Sequence, residues 1–193
     1  MEIDTPHGPA RAHVQPVDDA VATLVLGHGA GGGVSAPDLM VATRAALEHR
    51  VSVALVEQPY LVAGRKSQAP AAQLDAAWIA AVERLRDDDL PLIVGGRSAG
   101  ARVACRTAEN TGAAAVLCLA FPVHPPGKPE KTRLSELDAV QVPVLVVQGE
   151  RDPFGMPPDG PNRTVVRVRG DHGLKGDLDA VAVAVRDWLV ATL

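Results

Sequence analysis

Short apolar runs alternate with longer stretches of helical spacing along almost the whole of this chain, and that alternation limits the folds open to it. Ala22-Thr-Leu-Val-Leu-Gly27, Val51-Ser-Val-Ala-Leu-Val56, Leu92-Ile-Val-Gly95, Ala115-Val-Leu-Cys-Leu-Ala120, Val142-Pro-Val-Leu-Val-Val147 and Thr164-Val-Val-Arg-Val168 read as strands. The first five are apolar nearly throughout, the pattern of strands buried on both faces. The sixth alternates more and belongs nearer an edge. Asp38–His49, Ala71–Arg86, Ala99–Glu109 and Asp177–Leu193 carry helical patterns between and after them. In the last of these, Leu178, Val181, Val185, Trp188 and Leu189 form one core-facing stripe. A short helix is expected over Leu134–Val140 and a leading hairpin within Ile3–Val17. Such alternation requires an α/β fold, a mostly parallel, doubly wound sheet with helices on both faces. It also places ligand sites at the carboxyl ends of the strands. One domain is expected, spanning residues 1–193.

The chemistry is concentrated at those strand ends. Gly95-Gly-Arg-Ser-Ala-Gly100 follows Leu90-Pro-Leu-Ile-Val94 and precedes Ala101-Arg-Val-Ala-Cys-Arg-Thr-Ala108, a good helix former. A serine in Gly-x-Ser-x-Gly between strand and helix sits on a sharp turn with its hydroxyl exposed. The glycines let the strand and helix backbones pass closely. After an earlier strand, Gly27-His-Gly-Ala-Gly-Gly-Gly33 frees the backbone to turn N–H groups inward, which suits an oxyanion hole. A phosphate-cradling loop is the competing reading, but Gly-x-Gly-x-x-Gly is poorly placed here and no acidic residue beyond Glu57 ends the second strand. Asp152, in Gln148-Gly-Glu-Arg-Asp-Pro-Phe-Gly155, and His172, in Arg169-Gly-Asp-His-Gly173, each follow a further strand. Serine needs a histidine to take its proton, and the histidine needs a carboxylate to fix its tautomer. The order Ser98, Asp152, His172 fits that requirement. Asp171 competes as the acid, although a sequence neighbour of His172 generally cannot turn back onto its ring.

Composition narrows the function. The 193 residues carry a net charge of −4, so nucleic-acid binding has no electrostatic support. No apolar run approaches the ~20 residues of a membrane span. The first ten residues have no basic or apolar leader pattern. Cys105 and Cys118 lie in apolar segments and read as reduced, buried thiols. A cytoplasmic protein is expected.

These motifs together resemble the α/β-hydrolase superfamily, in its dienelactone-hydrolase-like branch. More narrowly, Leu26–Gly33, Gly95–Ala104, Phe121-Pro-Val-His-Pro-Pro-Gly-Lys-Pro129 and Gln148–Gly155 resemble the group containing testis-expressed protein thirty and its bacterial relatives, to which a domain in subunit three of the NSL chromatin complex is related. The resemblance covers about Val21 to Leu193. It implies Ser98 as nucleophile, Asp152 as acid and His172 as base. It implies an oxyanion hole from the backbone N–H groups of Ala30 and Ala99. It implies no settled substrate, and some relatives serve as scaffolds.

The candidate substrate contacts are His28, Tyr60, Arg97 and His124, all just past strand ends. For His124 and Lys128 a rigid proline turn is an equal alternative. Arg65 and Lys66 fit an exposed loop better than an anion site. His7, His13 and His49 read as surface, and Trp78 and Trp188 as core. The interval Phe121 to Val142 has room only for a loop and a short helix, so no cap domain is expected over the site. No metal and no cofactor is expected. The expected partner is a small-molecule acyl substrate, with neither nucleic acid nor membrane, and the protein is a monomer or homodimer. The function these features support is hydrolysis of a small ester, thioester or related acyl bond through an acyl-enzyme. A non-catalytic interaction domain and a small-peptide serine peptidase are the alternatives.

Overall fold

A computed structural model describes all of residues 1–193. One eight-stranded sheet organises the chain, in the order β1-β2-β4-β3-β5-β6-β7-β8. Its parallel part comprises β3 (Ala22–Gly27), β4 (Val51–Glu57), β5 (Leu92–Arg97), β6 (Ala115–Leu119), β7 (Val144–Gly149) and β8 (Arg163–Val168). The expected leading hairpin is present as β1 (Glu2–Ile3) and β2 (Ala10–Gln15), and β2 joins β4 antiparallel, with Arg11 opposite Glu57. The more alternating strand, β8, forms an edge.

Alternation along each strand divides the apolar residues between two layers. Val25 and Val94 face one side, with Trp78 and Val82 of α3 (Ala71–Leu85) and Val103 and Ala104 of α4 (Ala99–Thr107). Leu24, Leu26 and Ile93 face the other, with Leu39 and Ala42 of α1 (Pro37–Glu48) and Val185 and Leu189 of α6 (Leu178–Thr192). Each fully buried leucine or isoleucine contributes about 1.5–3 kcal/mol of transfer free energy. Trp78 is fully buried, whereas Trp188 is half-buried against the second layer. Two short helices complete the fold, α2 (Pro59–Val62) and α5 (Leu134–Asp138), the latter within the stretch expected from sequence.

Some boundaries differ from the expected ones. β7 runs over Val144–Gly149 rather than Val142–Val147. Pro143 has no N–H to give a sheet ladder, and the polar pair Gln148-Gly149 continues in register with Arg167 and Val168. α2 was not anticipated: Pro59 at its first position presets the backbone for one helical turn. Only α5 and loop lie between β6 and β7, and no separate cap covers the sheet. No helix is long and apolar enough to cross a membrane.

Candidate active site

The carboxyl ends of β3, β5, β7 and β8 converge on one cluster of polar groups. β5 ends at Arg97, α4 starts at Ala99, and Ser98 makes the turn between them with φ 53° and ψ −108°. A non-glycine residue at positive φ is strained by about 1–3 kcal/mol and persists where its surroundings enforce it. Here the Ser98 N–H donates to the Leu119 carbonyl of β6 at 2.9 Å, which locks the turn. Close packing of the elbow on β3 explains the flanking glycines, since a Cβ at Gly96 or Gly100 would overlap the Gly27 carbonyl.

His172, in the loop after β8, links the serine to a carboxylate. Its Nε2 lies 2.9 Å from Ser98 Oγ and its Nδ1 lies 2.8 Å from Asp152 Oδ2. A carboxylate only accepts, so Nδ1 carries the proton and Nε2 is left to accept from the hydroxyl. The Asp152 side chain is fully buried. Its Oδ1 accepts the Phe154 N–H at 2.8 Å, and its Oδ2 also accepts from Gln148 Nε2 at 2.8 Å. Asp171 instead turns back on its own loop, accepting the Gly173 N–H at 2.9 Å. The Phe154 ring covers the imidazole, with centroids 4.2 Å apart.

The glycine-rich loop after β3 is braced from below. His28 is buried, and the Gln58 N–H donates to its Nε2 at 3.0 Å, so the ring proton sits on Nδ1 and donates to the Gly29 carbonyl at 2.8 Å. Both ring nitrogens are therefore committed to backbone, so no polar atom of His28 is free to bond a substrate, while its ring borders the cavity beside Ala99. Burial pushes its pKa below the ordinary value, against smaller opposing contributions from the Gly29 bond and Glu57. Tyr60 is also buried, and its hydroxyl donates to the Ala30 carbonyl at 3.1 Å. Burial raises the phenol pKa, keeping it a donor. Tyr60 thus braces the loop through its hydroxyl, while its ring borders the cavity beside Ala99. The Ala30 N–H has no acceptor in the protein, and the Ala99 N–H belongs to the first turn of α4, where no intrahelical acceptor exists.

Arg97 is likewise held by the protein. Its Nε lies 2.9 Å from Asp38 Oδ2 and its Nη2 donates to the His172 carbonyl at 3.2 Å. The Asp38 contact is an ion pair whose angle falls outside that of a hydrogen bond. Asp38 is fully buried near the start of α1, and burial raises its carboxyl pKa despite Arg97 and the Leu39 N–H. One guanidinium therefore joins the elbow, α1 and the histidine loop. His124 is half-buried: its N–H donates to the Phe154 carbonyl at 3.2 Å and its Nδ1 to the Pro125 carbonyl at 2.9 Å. The Lys128 N–H closes a turn on Pro125 and its side chain is exposed, as are Arg65 and Lys66.

Open space near the serine is small. A cavity of about 10 Å³ lies beside Ala99, lined by His28, Tyr60, Leu74, Trp78 and Val103, room for about one water. A cavity of about 250 Å³ borders Gln58 and the same Tyr60 and Leu74 on the side of His7 and Arg65, and cavities of about 400 and 480 Å³ lie at the amino ends of the strands, beside Val144 and Arg163 and beside Thr23 and Ser52. Sequence reasoning passed over Gln148, Asp38 and Phe154. Gln148 carried one signal, as a polar residue ending an otherwise apolar strand. Asp38 falls at the start of an expected helix, and nothing in the sequence pointed to its pairing with Arg97.

Residues 20–175 match the family described as alpha/beta hydrolase domain, and the chain belongs to that family. Solved structures share its fold at low identity. Est1E from Butyrivibrio proteoclasticus is 15% identical with a TM-score of 0.79, over 100% of this chain and 98% of that one. XC6422 from Xanthomonas campestris, described as an a/b serine hydrolase without lid, is 23% identical with a TM-score of 0.75, over 97% and 93%. Dienelactone hydrolase from Anabaena variabilis is 16% identical with a TM-score of 0.77, over 99% and 95%. No curated protein matches the chain.

Proposed function

We propose that this protein is a serine hydrolase cleaving a small ester, thioester or related acyl bond. The observation that carries the reading is the unbroken line Ser98 Oγ–His172 Nε2–His172 Nδ1–Asp152 Oδ2, with steps of 2.9 and 2.8 Å. Ser98 Oγ attacks the substrate carbonyl carbon as its proton passes to His172 Nε2. The carbonyl oxygen becomes an oxyanion within reach of the Ala30 and Ala99 N–H groups; such a donor contributes about 2.7–4 kcal/mol to the transition state. Collapse expels the alcohol or thiol, which leaves with the proton from His172 and an acyl-Ser98 ester behind. Water then attacks that ester, His172 takes a water proton and returns one to Ser98, and the carboxylic acid departs. Asp152 remains ionised and stabilises the transient imidazolium.

Small acyl substrates are supported by the short, uncapped connection between β6 and β7 and by the likeness to a dienelactone hydrolase. The His124-Pro-Pro-Gly-Lys-Pro129 run supports the narrower kinship with the testis-expressed protein thirty group. The two unpaired thiols fit a reducing cytoplasm. Labelling with a fluorophosphonate probe, together with turnover of p-nitrophenyl acetate, tests the reading. Wild-type protein is expected to be labelled and Ser98→Ala is not. Folded wild-type protein that neither reacts with the probe nor turns over the ester would instead be an interaction domain.

A further inference from the structure

Gln148, the penultimate residue of β7, is fully buried. Its Nε2 lies 2.8 Å from Asp152 Oδ2, 2.8 Å from the Gly155 carbonyl and 3.0 Å from the Phe121 carbonyl. Three acceptors around one atom settle which end of the amide is nitrogen, because the flipped amide would set its oxygen against three oxygens. In that orientation Oε1 is buried with no partner. A buried polar atom left unpaired costs about 1–3 kcal/mol. A methionine would remove that penalty but leave the Phe121 and Gly155 carbonyls and Asp152 Oδ2 without this donor, so the glutamine is kept for what its Nε2 donates to.

The amide's other end points to what does. Asp152 Oδ2 is the atom that takes the His172 Nδ1–H, and the Gln148 N–H binds that same atom. With the Phe154 N–H on Oδ1, the carboxylate is gripped at both oxygens. Only acceptors surround Nε2, so an ionised glutamate here would add charge against Asp152, whereas the amide provides a donor at every pH. We propose that Gln148 is a positioning residue: it fixes the plane of the Asp152 carboxylate and, through it, the alignment of His172 with Ser98. The proposal rests on the serine-hydrolase reading above.

Labelling rate and ester kinetics of Gln148→Met, Asp152→Asn and the double variant test it, beside wild type. Gln148→Met is expected to lose roughly 10- to 100-fold in kcat, the scale of a slight misplacement of catalytic groups, with KM nearly unchanged. The double variant should react no more slowly than Asp152→Asn, because the amide acts through the carboxylate. Without the amide N–H the Asp152 charge acts more fully on His172. The acid limb of kcat/KM should therefore move to higher pH in Gln148→Met. Asp152 is the carboxylate bonded to that ring; Arg97 reaches only the His172 carbonyl and is paired with Asp38, and the neighbouring Asp171 is turned to the Gly173 N–H. Labelling of Gln148→Met at the wild-type rate, or losses that simply multiply in the double variant, overturns the proposal. If Gln148→Met does not fold, Gln148→Glu serves: neutral glutamic acid can donate, so its rate relative to wild type should rise as pH falls toward about 5. A flat ratio overturns the proposal. Absence of labelling in wild type defeats the serine-hydrolase reading itself, an outcome distinct from these.

Discussion

Ser98 stands on a strained turn, and that strain belongs to the backbone rather than to the hydroxyl. Alanine at the same φ of 53° inherits the same strain, so Ser98→Ala should unfold at nearly the wild-type denaturant midpoint. On the proposed mechanism its kcat should fall by on the order of 10⁴- to 10⁶-fold, because a triad acts as a unit. Retention of a tenth of the esterase activity would defeat the serine mechanism. His28 makes a separate prediction about pH. Its folded pKa lies below the ordinary histidine value of about 6.5, so the unfolded chain takes up the proton first. The stability due to neutral His28 is complete above that value and is lost as pH falls below it. Urea unfolding at pH 7 and pH 5 should therefore show a larger loss for wild type than for His28→Ala. Equal losses would remove His28 from the acid response.

At the scale of elements, Arg97 ties the ends of three of them together. Asp38 is buried at the start of α1, and Arg97 supplies the cation beside it. Removing one partner of a buried pair costs about 3–5 kcal/mol, because the other charge is left uncompensated. Arg97→Met should be destabilised on that scale at pH 7. The Asp38 carboxyl already has a raised pKa, so it escapes the penalty by binding a proton. The deficit of Arg97→Met against wild type should therefore shrink as pH falls from 7 toward 4. Denaturation at both pH values checks the sign, and a deficit that grows on acidification would contradict the account. Element boundaries in the sequence failed where one residue decides: Pro143 delays β7, and Pro59 starts α2.

For the whole molecule, the short connection between β6 and β7 leaves the site without a roof. Each buried CH₂ is worth ~0.8 kcal/mol only where protein covers it. Acyl carbons beyond the first few should stay in water, so kcat/KM for p-nitrophenyl esters should level off or fall after roughly four acyl carbons on the same transfer argument. A steady rise out to decanoate, on monomeric protein below the micelle concentration, would exclude this. A second subunit roofing the site is the alternative such a rise would indicate.

The sequence by itself determined the strand–helix alternation, the elbow at Ser98 and the order of Ser98, Asp152 and His172. These features are local: apolar period, a glycine-flanked turn and residues just past strands can all be read within short windows. Only the tertiary structure decided what those residues touch. It set both ring nitrogens of His28 on backbone and the Tyr60 hydroxyl on the Ala30 carbonyl, partners no local pattern in the sequence could show. It also paired Arg97 with Asp38 and Gln148 with Asp152. Arg97 and Asp38 lie far apart in the chain and on different elements, and no periodicity links them. Gln148 and Asp152 are close in sequence, but the orientation of that amide depends on acceptors from Phe121 and Gly155. A polar side chain's role is set by its partners, and packing the sheet against its helices is what brings those partners together.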